Sequence, residues 1–184
     1  MENNNDIAHK LALLHKLQGI DFVRQLKLIT EQHEFSPLDT DPHIFVVGGQ
    51  TNDDYSHLLN AARKAVERGN NVYILPNPNN SRTADYIFER KGIFKMYDLK
   101  TISGRASVGN RLKESIGQTN RVLLSMNSNY NPRLLALAIK HYFEQNQDAV
   151  EVLVYKGSKT ISVIREDTEA YAFIRNFMMK YRQK

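Results

Sequence analysis

From residue 44 onward, short apolar runs alternate with amphipathic segments, and this alternation most constrains the fold. Apolar runs bounded by Gly, Pro or Asn are typical of strands, whereas apolar residues at steps of three and four predict helices. The pattern predicts strands at 44–47, 72–75, 84–88, 94–99, 121–126, 150–155 and 160–164. It predicts helices at 53–68, 107–117, 132–143 and 167–181. We therefore expect an α/β (α+β) fold with a central mixed β-sheet flanked by helices.

The residues before this alternation predict a separate helical segment. Apolar residues recur at steps of three and four over 5–33, which predicts one long helix. Ser36-Pro37 and Asp41-Pro42 end it, because the residue before a proline disfavours the helical conformation. We expect an N-terminal helical segment at 1–35, a linker within 34–43, and an α/β domain over 43–184.

Composition excludes several classes of protein. Hydrophobic residues make up 41% and charged residues 24% of the 184 residues, as in globular proteins. No run of 18 apolar residues is present, so we expect no membrane segment. The absence of cysteine excludes disulfides, a thiolate nucleophile and a Cys-based zinc site. The start, MENNNDIAHK, lacks the features of a signal peptide, which predicts a cytoplasmic location, or delivery into a target cell's cytoplasm if the protein is a toxin.

The basic charge is concentrated in the middle of the chain. Residues 81–121 carry nine basic and four acidic residues, a local excess equal to the +5 of the whole protein. Such a concentration is typical of proteins with a polyanionic partner such as nucleic acid. A solvated basic surface without a partner would have the same composition, and charge alone does not separate the two.

Two aspartates and a lysine in one predicted hairpin form the main candidate site. Asp85 opens one strand, and Asp98 and Lys100 close the next. Because residues two apart on a strand project to the same face, we expect these charged groups to converge near the surface. The pair Asp85 and Asp98 can hold Mg²⁺ or Mn²⁺ through oxygen atoms, while Lys100 stabilises charge that develops on a phosphate. The alternative is a salt-bridged hairpin at a solvated edge.

The same residues resemble a known nuclease motif. Asp85 followed by Asp98-Leu99-Lys100 is similar to the PD-(D/E)xK nuclease pattern, although Ala84 stands where the motif has its proline. The resemblance implies a restriction-endonuclease-like core of helix, three strands, helix and strand, the order predicted over 53–126. It also implies a bound metal ion and a water nucleophile.

A second resemblance covers roughly residues 55–126. Ala61-Ala62-Arg63-Lys64-Ala65, Val72-Tyr73-Ile74-Leu75-Pro76 and Tyr97-Asp98-Leu99-Lys100-Thr101 are similar to the C-terminal tRNA-nuclease domains of contact-dependent growth inhibition (CdiA-type) toxins. This resemblance implies a core of the Barnase–EndoU–colicin–RelE type, a tRNA substrate and an acidic immunity or inhibitor protein as partner. It also implies cleavage without metal by the 2′-hydroxyl of the RNA. Lys100, Thr101, Ser103 and Arg111 would then matter most, oriented by Asp85 and Asp98.

Further polar residues follow the motif and are candidate contacts to nucleic acid. They are Ser103, Arg105, Arg111, Lys113, Gln118 and Arg121. Their position directly after the hairpin favours phosphate contacts, because Lys and Arg supply most of the affinity for a phosphate backbone. The alternatives are a solvated face for the basic residues and a helix end capped by Gln118.

The first predicted strand and the glycines after it suggest a different class of function. Ile44 to Gly49 leads into the helix at 53–68, and Gly48-Gly49 between a strand and a helix can cradle a phosphate. This alternative is a non-catalytic, Rossmann-like module that binds a nucleotide or phosphate. The six histidines show no metal-ligand spacing, and of these only His43 lies near a strand end from which it could reach a site.

Overall fold

A computed structural model of the chain describes residues 9–10, 13–14, 17, 19–32, 35–47, 55–76, 84–104 and 107–183. The chain forms two compact units, Met1–Asp98 and Leu99–Lys184. Each unit contains a sheet with both parallel and antiparallel pairs, and helices pack on it. The expected α+β class, with a mixed sheet flanked by helices, is confirmed. The division between the units falls inside a strand.

The described elements of the first unit with defined bounds are two helices and five strands, and residues 9–10 and 13–14 are helical as well. The elements with defined bounds are α1 (Gly19–Gln32), β1 (Ser36–Pro37), β2 (Ile44–Val46), α2 (Tyr55–Val66), β3 (Asn71–Ile74), β4 (Tyr86–Arg90) and β5 (Ile93–Ile102), whose last residues belong to the second unit. The strands pair in chain order, with β2 and β3 parallel and the other pairs antiparallel. The prediction of one long helix over 5–33 is wrong, because Leu17 is not helical. The predicted linker at 34–43 is wrong in part, because Ser36 and Pro37 pair with β2.

The parallel pair β2–β3 is connected through α2, which makes a βαβ unit. The Tyr86 hydroxyl donates a hydrogen bond to the Leu58 carbonyl at 2.7 Å and ties α2 to β4. Arg63 on α2 donates to the Asp41 carboxylate at 2.8 Å, and these hydrogen bonds lower the pKa of Asp41. The segment before β2 is therefore anchored to the helix that follows it.

The β4–β5 hairpin has the predicted turn. Lys91 and Gly92 both have positive φ, 53° and 78°, which matches the right-handed twist of a tight hairpin. The two strands pair antiparallel, with Arg90 opposite Ile93 next to the turn and Tyr86 opposite Tyr97 at the far end. One face of this hairpin is covered by α1, whose Leu26 and Ile29 are fully buried in one cluster with Ile87 and Met96. These apolar contacts determine which β5 residues face inward.

The described residues of the second unit form four helices and three further strands. They are α3 (Val108–Glu114), β6 (Arg121–Met126), α4 (Pro132–Gln145), β7 (Glu151–Lys156), β8 (Lys159–Ile164), α5 (Arg165–Glu169) and α6 (Phe173–Arg182). β6 and β7 are parallel, and β8 pairs antiparallel with β7. The prediction of one helix over 167–181 is wrong, because the extended backbone of Ala170 separates α5 from α6. None of the helices in the described ranges combines the length and apolar character that crossing a bilayer requires.

Candidate functional site

Strand β5 carries the main candidate residues, and it places Asp98 in the interior. The Asp98 side chain is 1% exposed, so the expectation of a surface position is wrong. The strand continues to Ile102, beyond the predicted end at 99, and Asp98 therefore lies within the strand rather than at its tip. Its neighbours Met96 and Tyr97 are also buried.

Lys100 and Thr101 follow on the same strand and are half-buried. Because side chains alternate along a strand, Asp98 and Lys100 project to one side of β5 and Thr101 to the other. Ser103 comes after the strand and is exposed. Arg105 lies outside the described residues.

Backbone hydrogen bonds hold Asp85 beside β5. Its N–H donates to the Tyr97 carbonyl at 2.9 Å, and its carbonyl accepts from the Leu75 N–H at 2.9 Å. Asp85 is half-buried and directly precedes β4. The backbone of Asp85 thus lies next to that of residues 97 and 98, as expected for a strand-opening residue of this hairpin.

The candidate metal ligands are the carboxylates of Asp85 and Asp98. Mg²⁺ is commonly bound through one or two carboxylates, with water and substrate phosphate oxygens as its remaining ligands. Asp85 and Asp98 supply hard oxygen ligands of that kind. Within the part of the chain that the structure describes, no group of three or more His, Asp or Glu side chains is arranged to hold a metal ion.

Three of the candidate nucleic-acid contacts lie on or next to α3. Lys113 is exposed, and Arg111 is an exposed partner of Glu114 at 3.1 Å. The Gln118 side-chain amide donates to the Glu114 carbonyl at 2.8 Å, so Gln118 closes the end of the helix. Arg111 and Lys113 are therefore accessible to a ligand, while Gln118 has a structural role.

Arg121 is the candidate whose surroundings differ most from a free phosphate-binding side chain. It lies mostly buried with its Nε 3.5 Å from the Glu151 Oε2, and the other oxygen of Glu151 accepts a 2.7 Å hydrogen bond from the Ser162 hydroxyl. Among the charged side chains described, Asp98 and Glu151 are the two that are buried. Arg121 therefore balances the charge of Glu151 and joins the starts of β6 and β7.

Sequence reasoning missed a hydrogen-bonded chain at the far end of the first sheet. The His43 Nδ1 lies 2.9 Å from the Asn71 Oδ1, and the Asn71 amide donates to Glu89 at 2.7 Å. This chain lies at the opposite end of β4 from Asp85. Its partners are 28 and 18 residues apart, so no local spacing signals it.

For the alternative nucleotide site, the structure describes the strand β2 but not the glycines that follow it. The βαβ arrangement of β2, α2 and β3 is the topology that the Rossmann-like alternative requires. Gly48 and Gly49, which would contact the phosphate, lie outside the described residues.

No protein-family model, no curated protein and no solved structure matches this chain. Function must therefore be inferred from the side chains and their placement.

We expect Arg121→Met to lower the free energy of unfolding by about 2–4 kcal/mol, because it leaves the Glu151 carboxylate buried without its cation. The matched control Arg111→Met breaks an exposed pair and should cost less than about 1 kcal/mol. Urea denaturation followed by circular dichroism measures both. A fully stable Arg121→Met protein that has lost affinity for RNA would instead make Arg121 a ligand contact.

Proposed function

We propose that this protein is a nuclease that cleaves phosphodiester bonds, with RNA, and tRNA in particular, preferred over DNA. The observation that carries the proposal is the buried Asp98 two residues before Lys100 on one continuous strand. The resemblance of these residues to toxin tRNA nucleases favours RNA. In that setting the protein would be a toxin or a mobile-element protein, with an acidic inhibitor as its partner.

We take the buried Asp98 as a functional carboxylate. A carboxylate removed from water is costly unless cations or hydrogen-bond donors compensate it, and an apolar residue would fill the same space at lower cost. Charged groups held in such positions are concentrated at functional sites. Asp85 directly precedes β4, and Lys100 follows Asp98 by two positions on β5. Aspartate and lysine are residue types that phosphoryl chemistry uses.

Two chemical routes are open to these residues. With a divalent ion held by Asp85 and Asp98, the metal supplies an activated water and neutralises phosphate charge. Without a metal, the 2′-hydroxyl of the substrate is the nucleophile, and the two aspartates orient the neighbouring polar groups. On either route the Lys100 ammonium stabilises the negative charge that builds up on the phosphate oxygens.

The order of elements supports a nuclease core. Over 55–126 the chain runs through α2, β3, β4, β5, α3 and β6, the helix, three strands, helix and strand of the PD-(D/E)xK resemblance. We propose a restriction-endonuclease-like or Barnase–EndoU–colicin–RelE-like core on this basis.

Lys100→Met is expected to reduce cleavage of a tRNA substrate at least ~100-fold, the scale of losing one charge that stabilises a transition state. Asp98→Asn, which keeps the volume of the buried side chain, should lose activity to a similar extent with its circular dichroism spectrum unchanged. The matched control is Lys95→Met, because Lys95 lies on the same strand but projects to the opposite side. Full activity of both Lys100→Met and Asp98→Asn would exclude this site.

The two routes differ in their response to chelation. Because two carboxylates beside one lysine leave a net negative cluster, we expect EDTA to abolish cleavage and Mg²⁺ or Mn²⁺ to restore it. The ends of the RNA products provide a second readout. Activity that persists in EDTA and leaves 2′,3′-cyclic phosphate would overturn the metal route and leave Lys100 as a phosphate-stabilising residue.

The βαβ arrangement of β2, α2 and β3 favours one alternative, a non-catalytic module that binds a nucleotide or phosphate after β2. It predicts that labelled ATP or GTP binds the protein, and that Gly49→Val removes this binding. Filter binding with the nucleotides and with labelled tRNA separates the two functions. Nucleotide binding that Gly49→Val abolishes, in a protein without nuclease activity, would replace the nuclease proposal.

A further inference from the structure

Charge is separated between the two ends of the sheet in the second unit. Residues 99–184 contain 14 basic and 7 acidic residues. The parallel strands β6 and β7 are paired from Arg121↔Glu151 to Met126↔Lys156, so their carboxyl ends lie at the same edge. We call this end of the unit the carboxyl edge and define it as residues 100–104, 127–133, 156–160 and 180–183.

Contacts within the unit join these four segments. The Asn127 N–H donates to the Ile102 carbonyl at 2.9 Å, and the Ser128 hydroxyl donates to the Gly104 carbonyl at 3.2 Å. Lys156 and Lys159 both donate to the Tyr181 carbonyl, at 3.3 and 3.0 Å. Because Met126 pairs with Lys156, the end of β5 and the β6–α4 loop lie beside the β7–β8 turn and the end of α6.

The carboxyl edge contains only positive formal charge. Its segments hold six basic residues and no acidic one, and three of the six are exposed. The basic residues are Lys100, Arg133, Lys156, Lys159, Lys180 and Arg182. The ammonium groups of Lys156 and Lys159 share one carbonyl, and burial together with the charge of Lys159 lowers the pKa of Lys156.

The acidic residues of the unit lie toward its other end. Glu114 and Glu144 are in the last turns of α3 and α4, which run away from the carboxyl edge. Asp148 and Glu151 lie before and at the start of β7, and the remaining three acidic residues are on α5, after the end of β8. Strand direction therefore separates a cationic end from an end of mixed charge.

We propose that the carboxyl edge binds the phosphate backbone of the nucleic acid that the Asp98–Lys100 strand cleaves. The inference rests on the proposed function and adds a binding surface to it, from the end of β5 to Arg182. Lys and Arg side chains neutralise phosphates, and polar side chains and backbone N–H groups supply most other contacts to phosphate and sugar. The polar, uncharged side chains of the carboxyl edge include Ser103, Ser128 and Asn129. Its two exposed cations on α6 are Lys180 and Arg182.

The composition of the edge favours nucleic acid over a lipid surface. Peripheral membrane binding combines basic residues with an exposed apolar face that enters the bilayer. In the segments of the carboxyl edge that the structure describes, the exposed residues are polar, charged or glycine, and two exposed apolar residues, Leu134 and Met179, adjoin these segments singly. The edge therefore matches a hydrated polyanion.

Arg182→Gln and Arg175→Gln make a matched pair for the test. Both arginines are exposed on α6, and seven residues, about two turns or ~10 Å, separate them, so they share one side of the helix. Only Arg182 belongs to the carboxyl edge. The double variant Lys180→Gln/Arg182→Gln removes both exposed edge charges of α6, while Lys156 and Lys159 remain in their structural contacts with Tyr181.

The probe is a fluorescein-labelled RNA hairpin with 2′-O-methyl sugars, used in EDTA so that neither cleavage route operates. We expect Lys180→Gln/Arg182→Gln to raise the Kd roughly 10-fold at low salt and to reduce the slope of log Kd against log salt by about 1.5. Arg182→Gln should weaken binding several-fold, and Arg175→Gln should stay within about two-fold of wild type. Fluorescence anisotropy over a salt series measures all four proteins.

Other results would overturn either the RNA-binding surface or the nuclease proposal. Equal losses for Arg175→Gln and Arg182→Gln, an unchanged salt slope, or binding to phosphatidylserine vesicles without binding to RNA would overturn the edge. RNA binding that depends on the edge, in a protein that cleaves nothing in any buffer, would uphold the edge and overturn the nuclease. Cleavage that needs Lys100 but is unaffected by the Lys180 and Arg182 variants would uphold the nuclease and overturn the carboxyl edge as its binding surface.

Discussion

The parallel pairing of β6 with β7 is the constraint on which the placement of charge in the second unit depends. Four of the six residues in each strand are hydrophobic, and residues such as Val122 and Val154 are fully buried. Parallel strands need a crossover, which α4 provides. Arg121 therefore meets Glu151 at one end of the pair, and Lys156 lies at the other.

Cationic side chains cap the C-terminal ends of helices at both ends of the strands in this sheet. Arg165 donates to the Phe143 carbonyl in the last turn of α4, at 2.8 Å, and to the carbonyl of its C-cap Asn146, at 2.7 Å. Lys156 and Lys159 do the same for the Tyr181 carbonyl at the end of α6. Helix ends leave carbonyls without intrahelical partners, and hydrogen bonds to charged groups contribute about 1.5–3 kcal/mol each. These cations thus stabilise the fold, whereas exposed ones such as Arg182 are available to a ligand.

Strand β5 places a carboxylate among buried apolar residues, which the rest of the core does not favour energetically. Its apolar residues Met96 and Tyr97 bury well, yet Asp98 beside them is a carboxylate in the interior. A buried carboxylate needs cations or hydrogen-bond donors around it, and the proposed nuclease chemistry would use Asp98 in that setting. The same strand leads from this carboxylate through Lys100 to the carboxyl edge, which links the proposed chemistry to the proposed binding surface.

The sequence by itself determined the local structure: the strand at 121–126 has the predicted bounds, and Lys91-Gly92 makes the predicted turn, because strand periodicity and turn conformation depend on neighbouring residues. It also located Asp98 and Lys100 on one strand. Only the tertiary structure decided that Asp98 is buried, that Arg121 pairs with a residue 30 positions away, and that basic segments from four parts of the chain share one edge. Burial and ion pairing depend on which strands become neighbours and in which direction they run, and that choice is made by packing between distant segments rather than by any local pattern.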